Sequence, residues 1–112
     1  MQLTQNNLKK ILSLVELFNE EEELTEIDGG IKIVILQRGW VFIGRFKKIG
    51  SQCKLHNAYC IRRWGTSEGL GELAFKGKLN DTILEKTPPV KFHELTVIAT
   101  IDCVEEKWKD LI

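Results

Sequence analysis

"IKIVILQRGWVFIGRF", residues 31–46, decides how the chain folds. The runs IKIVILQ (31–37) and WVFIGRF (40–46) are rich in β-branched and aromatic side chains, which pack well on a pleated surface and lose rotamer freedom in a helix. Only Arg38-Gly39 separates them, so the stretch predicts two antiparallel strands joined by a tight hairpin. Both faces of these strands are largely apolar. That predicts burial on two sides, as in a small barrel or a sheet with a helix across it. Gly44, without a Cβ, predicts a bulge or a close backbone approach.

Downstream, NAYCIRRW (57–64) reads as a third strand, ELAF (72–75) as a fourth and TILEK (82–86) as a short fifth. Pro88-Pro89 punctuates the chain before HELTVIATIDC (93–103). There Leu95, Val97, Ala99, Ile101 and Cys103 alternate with Thr96, Thr100 and Asp102, predicting a long strand with one core face. Upstream, Thr4, Asn6 or Asn7 can cap a helix in which Leu8, Ile11, Leu12, Val15 and Phe18 fall at helical spacing. Leu14 and Leu17 widen the apolar arc beyond one packing face, so the surplus is expected to meet another subunit. The acidic run Glu20 to Glu23 opposes the negative end of the helix dipole and ends the helix. Asp28-Gly29-Gly30 then turns into the first strand.

The expected fold is α+β, a single domain over 1–112. An N-terminal amphipathic helix (4–22) precedes a mostly antiparallel small β-barrel or strongly twisted sheet of about five to six strands over 31–103.

Composition narrows the class. With 43% hydrophobic and 29% charged residues the chain reads as a soluble globular domain. No apolar run approaches the roughly 20 residues of a membrane span, and MQLTQNNLKK lacks the basic-then-apolar order of a signal peptide. A cytoplasmic location without membrane attachment is expected. Cys53, Cys60 and Cys103 are an odd number without CxxC spacing, so they read as reduced thiols. Cys53, His56 and Cys60 form C-x2-H-x3-C, but no fourth ligand lies near, and no metal or other cofactor is expected. His93 has no serine or cysteine partner that spacing can place beside it, so no enzyme is expected either.

The net charge of zero hides a segregation. Residues 1–30 carry two bases against seven acids; residues 31–64 carry eight bases and no acid; residues 65–112 carry six bases against nine acids. Two readings follow: a local positive field facing an anionic partner, or basic strands that pair with the acidic flanks.

The candidate binding residues gather around "CIRRWGTSEGLG" (60–71) and the hairpin. The loop Gly65-Thr66-Ser67-Glu68-Gly69-Leu70-Gly71 has neither P-loop nor dinucleotide spacing, yet its glycines and hydroxyls suit either a nest of N–H donors for phosphate or a plain turn. Arg62 and Arg63 point to opposite faces of their strand, with Trp64 on the Arg62 face. Arg63 is placed either on an anion or in an ion pair with Glu72. Trp40 and Trp64 each lie close to an arginine, and Arg38 and Arg45 flank Trp40. An aromatic ring beside a guanidinium suits a nucleobase with its phosphate, because the ring stacks while the fork grips two oxygens. The candidate ligand-binding set is Arg38, Trp40, Arg45, Arg62, Arg63, Trp64, Thr66 and Ser67.

The segments "RGWVFIGRF", "AYCIRRWGTSEGLGELAFKG" and "VIATIDCVEEKW" resemble a group of short phage and prophage proteins of unassigned function. The resemblance covers residues 37–108 and implies a viral origin and a small accessory role in a host cytoplasm. The leading expectation is a protein that binds a small anionic, nucleotide-like ligand, most specifically a sponge for a nucleotide signal of host anti-phage defence. A protein-binding inhibitor of a host factor is the alternative, with nucleic-acid binding third. Zero net charge and a pI near 6.7 argue against a general nucleic-acid binder. Nanomolar capture by so few contacts requires a site shared between subunits, so a homo-oligomer is expected.

Overall fold

The structure is a computed structural model and describes residues 26–112. The helix expected over 4–22 lies outside the described residues. Six strands and two short helices follow: β1 (Ile27–Leu36), β2 (Val41–Ile49), β3 (Gln52–Arg63), α1 (Leu70–Lys76), β4 (Ile83–Lys86), β5 (Val90–His93), β6 (Val97–Asp102) and α2 (Glu105–Trp108). All pairings are antiparallel. The strand order is β4-β3-β2-β1-β6, with β5 pairing the start of β3 and β4 its end.

This sheet cannot be flat. β5 and β6 lie four strand spacings apart through β3, β2 and β1, about 19 Å in a flat sheet. Only the 3₁₀ turn Glu94–Thr96 connects them, and four residue steps reach about 14 Å at full stretch. The sheet therefore curls on itself. No ladder joins β6 to β4 or β5 among the described residues, so the expected closed barrel does not form and the twisted-sheet form is the one adopted.

The bend has a local cause. The β2–β3 register slips between Ile43 and Arg45, where Asn57, at φ 51°, is the extra residue of β3. Gly44 lies opposite, and a Cβ there would sit 2.9 Å from the His56 carbonyl oxygen. This is the close approach expected at Gly44.

Curling divides the core in two. On one face Ile31, Ile33, Ile43 and Ile61 pack under α1 and α2, with Leu70, Leu73, Ala74 and Trp108. On the other, Val34, Leu36, Phe46, Cys53, Leu55, Ala58 and Phe92 pack together, and the Phe46 and Phe92 rings lie 6.4 Å apart.

Two expected strands are corrected. ELAF (72–75) belongs to helix α1, because Leu70, Leu73 and Ala74 bury at i, i+3 and i+4 while Phe75 stays exposed. Four residues are too few to separate the two periods. HELTVIATIDC is broken after His93. The His93 Nδ1 accepts the Leu95 N–H at 3.1 Å and Thr96 Oγ1 donates to the His93 carbonyl at 2.6 Å, closing the 3₁₀ turn. Leu95, expected in the core, is consequently 77% exposed. The Arg38-Gly39 connection also differs in detail. Gln37–Gly39 form a 3₁₀ turn, and the Leu36 N–H donates to the Trp40 carbonyl at 2.8 Å.

The C-terminal helix closes the α-covered face. Trp108 is buried and its indole N–H donates to the Leu73 carbonyl at 3.2 Å, tying α2 to α1. Trp108→Ala is expected to cost about 3–5 kcal/mol of unfolding free energy in urea. A loss below about 1 kcal/mol would show that α2 is not part of the core.

Candidate ligand site

The charge segregation is largely consumed by the fold. Of the eight bases in 31–64, Lys32 pairs with Asp102, Arg45 with Glu105, Lys47 with Glu26, Lys48 with Glu94 and Arg62 with Glu85. Four of those five acids come from the acidic segment 65–112. Pairing with the acidic flanks is thus the dominant outcome. Arg38, Lys54 and Arg63 make no ion pair among the described residues, and they mark where an anion could still be held.

Arg38 stands at the best-formed aromatic surface. Trp40 is 52% exposed and stacks nearly parallel on Phe42, with centroids 6.0 Å apart and an interplanar angle of 8°. Alternation along β2 puts the two rings on one face, so Phe42 holds the indole in place. Arg38, Trp40, Cys60, Ile61 and Arg62 line an open cleft of about 320 Å³. Arg38 and Trp40 also line a neighbouring cleft with Lys91, Phe92 and His93. The Arg38 backbone sits at φ 69°, in the left-handed region that costs a branched or bulky residue strain. Arg62 lies 3.4 Å from Glu85, but both side chains are more than half exposed, and such pairs contribute about 0–1 kcal/mol. Its guanidinium can therefore exchange partners.

Arg63, Thr66 and Ser67 line a different cleft, together with Gly65, Glu72 and Asp81. The loop does form a nest of donors, and the anion it holds is its own. One Glu72 carboxylate oxygen accepts the backbone N–H groups of Ser67 at 3.0 Å and Glu68 at 2.7 Å; the other lies 3.3 Å from Lys76 Nζ. The expected Arg63–Glu72 ion pair is absent among the described residues. A phosphate placed here would meet two carboxylates, Glu72 and Asp81.

Arg45 joins neither cleft. It donates to Glu105 at 2.9 Å and to the Ile112 carbonyl at 3.2 Å, beside Asn57, which donates to the same carbonyl at 3.1 Å. Trp64 is also exposed but lines neither cleft, and its carbonyl accepts from Thr82 Oγ1 at 2.8 Å. The structure thus brings together Arg38, Trp40 and Arg62 of the expected set. Sequence reading missed Phe42 and Lys91. The first was legible as the same-face neighbour two residues from Trp40, whereas Lys91 arrives on a strand that went unrecognised.

Two of the three thiols are poor nucleophiles. Burial pushes Cys103 up to about 12 and also raises Cys53. Cys53 is buried in the core, and among the described residues no three His, Cys, Asp or Glu side chains gather as metal ligands, so C-x2-H-x3-C does not converge.

No known protein family matches the chain, and no curated protein matches it.

The Glu72 carboxyl is held below its ordinary value of 4.5, first by the Glu68 N–H, with Lys76 and the Ser67 N–H adding to it against the opposing effect of desolvation. A depressed carboxyl stabilises the fold above its unfolded pKa, and that contribution disappears as pH falls through the folded value. Glu72→Gln is expected to lower the melting temperature near pH 7, with the deficit shrinking as the pH falls below the ordinary carboxyl value of 4.5. Melts across that range check it; a deficit that does not change with pH would mean that shape, not charge, holds the loop.

Proposed function

We propose that the protein binds a small phosphorylated ligand bearing a planar base, in the cleft of Arg38, Trp40 and Arg62. The observation that carries this reading is the exposed indole, stacked on Phe42 and sharing a cleft with Arg38 and Arg62. The ring supplies a stacking platform and the arginines supply forked donors for phosphate oxygens. Among the described residues that line the cleft no general base stands beside a nucleophile, and the proposal is accordingly one of binding. The resemblance to short phage proteins supports a purpose: sequestering a nucleotide signal of host defence in the host cytoplasm.

Affinity then requires more than one copy. Two charge-assisted contacts at about 1.5–3 kcal/mol each and one stacked base at about 1–3 kcal/mol give roughly 4–9 kcal/mol. Nanomolar capture needs about 12 kcal/mol. The two sheet edges support a particular contact. The β4/β5 edge carries Lys86 and Lys91, with Pro88 and Pro89 between its strands, residues that block strand addition. β6 carries neither lysine nor proline, and its Ile98 is 64% exposed. We infer that β6 pairs with a second copy of the chain. The same edge could instead receive a strand of a host protein, which is the structural basis of the inhibitor reading.

A thermal-shift panel of linear and cyclic nucleotides tests the function, since a ligand that binds only the native state raises the melting temperature. At least one nucleotide is expected to do so. Arg62→Ala, Trp40→Ala and Arg38→Gly should each weaken it about tenfold or more, or about 1.4 kcal/mol. Arg38→Gly should also leave the melting temperature level or higher, because glycine adopts positive φ without strain. No response to any nucleotide would move the function to host-protein binding.

Light scattering at tens of micromolar protein is expected to give a dimer or larger assembly, and Ile98→Lys a monomer. A monomeric parent protein would remove the shared site.

A further inference from the structure

The third base without an ion-pair partner among the described residues, Lys54, belongs to a different surface. Lys47 on β2 lies directly opposite Lys54 on β3, and Lys54 lies directly opposite Lys91 on β5. Three ammonium groups thus occupy one rung across three neighbouring strands, on the face that α1 and α2 cover farther along. Like charges directly opposite each other destabilise a sheet. Glu26 lies 3.7 Å from Lys47 Nζ, and Asp28 is opposite Lys47 across β1, where its carboxylate accepts the Gly30 N–H. Neither compensates the centre of the rung: among the described residues Lys54 and Lys91 have no carboxylate partner. The three lysines line a cavity of about 390 Å³ with His56, Gln52, Ile49 and Cys53, and its one carboxylate among the described residues, Glu26, sits at the Lys47 end.

We propose that this cavity is a second anion site and that it takes a short polyphosphate chain. Two strand spacings separate Lys47 from Lys91, about 10 Å, the reach of several linked phosphates rather than of one. His56 and Gln52 add donors at the same wall, and the lysine stems with Ile49 form its apolar part. No Phe, Tyr or Trp lines the cavity among the described residues, so it lacks the large stacking platform that single-stranded nucleic acid uses. The repulsion within the rung is the cost of keeping the site charged before the anion arrives. The site uses none of Arg38, Trp40 or Arg62, and Lys91 alone also borders the cleft beside Arg38 and Trp40.

The test is sodium tripolyphosphate titrated into the full chain at about 150 mM salt, where exposed long-range charge is screened, read by calorimetry and thermal melting. Tripolyphosphate is expected to bind and to raise the melting temperature. Lys54→Met, which keeps an unbranched apolar stem, should weaken binding at least about tenfold. Without the anion the same variant should melt at or above the parent temperature, because the repulsion is gone. Trp40→Ala should bind tripolyphosphate as the parent does, which separates failure here from failure of the nucleotide cleft. If Lys54→Met does not fold, Lys91→Met carries the same expectation. The proposal is overturned if millimolar tripolyphosphate changes nothing, if the lysine variants bind as the parent does, if Trp40→Ala loses the binding instead, or if an oligothymidine competes more tightly than tripolyphosphate.

Discussion

A three-residue connection governs the shape of this protein. Because Glu94–Thr96 must join β5 to β6 across the width of the sheet, the sheet has to curl, and everything else accommodates that curl. Gly44 and Asn57 provide the bend at the register slip between β2 and β3. The curl brings Phe92 against Phe46 and gathers one core on the inside of the bend. It leaves the other face to be covered by α1 and α2, whose short apolar sides would be too small to stabilise a helix alone.

Electrostatics follow from the same geometry. The basic stretch 31–64 forms the three central strands, and the acidic residues that follow it return along the edges and over one face. Antiparallel return therefore neutralises most of the charge that is segregated along the chain. These surface pairs add little stability individually, but they consume the field. What remains is local: Arg38 on a strained turn beside an exposed tryptophan, and Lys54 between two other lysines. Arg63 is the counter-example, a base without an ion pair among the described residues whose cleft holds two acids.

The glycine loop illustrates why donor-rich turns are ambiguous. Its N–H groups converge as an anion site requires, and the side chain that satisfies them is supplied five residues after Ser67. A carboxylate held by backbone donors, with 7% of its side-chain surface exposed, is a structural cap on the loop. Composition and spacing look the same whether the loop holds an external phosphate or an internal carboxylate, because both present the same oxygens to the same donors.

Local pattern in the sequence determined the hairpin from 31 to 46, the close approach at Gly44 and the strand leading to Arg62 and Arg63. These depend on side-chain branching, on alternation and on the absence of a Cβ, which act over a few residues. Tertiary structure alone decided the rest. ELAF became a helix because Leu70, Leu73 and Ala74 found a sheet face to cover. His93 ended a strand because the sheet had to turn, and Arg45 left the ligand set because α2 and Ile112 were brought to it. The lysine rung is invisible along the chain, where its members are separated by seven residues and then by 37. Register is set by burial of the opposite face and by turn geometry, so which charges meet across a sheet is written in the packing and not in any local run of residues.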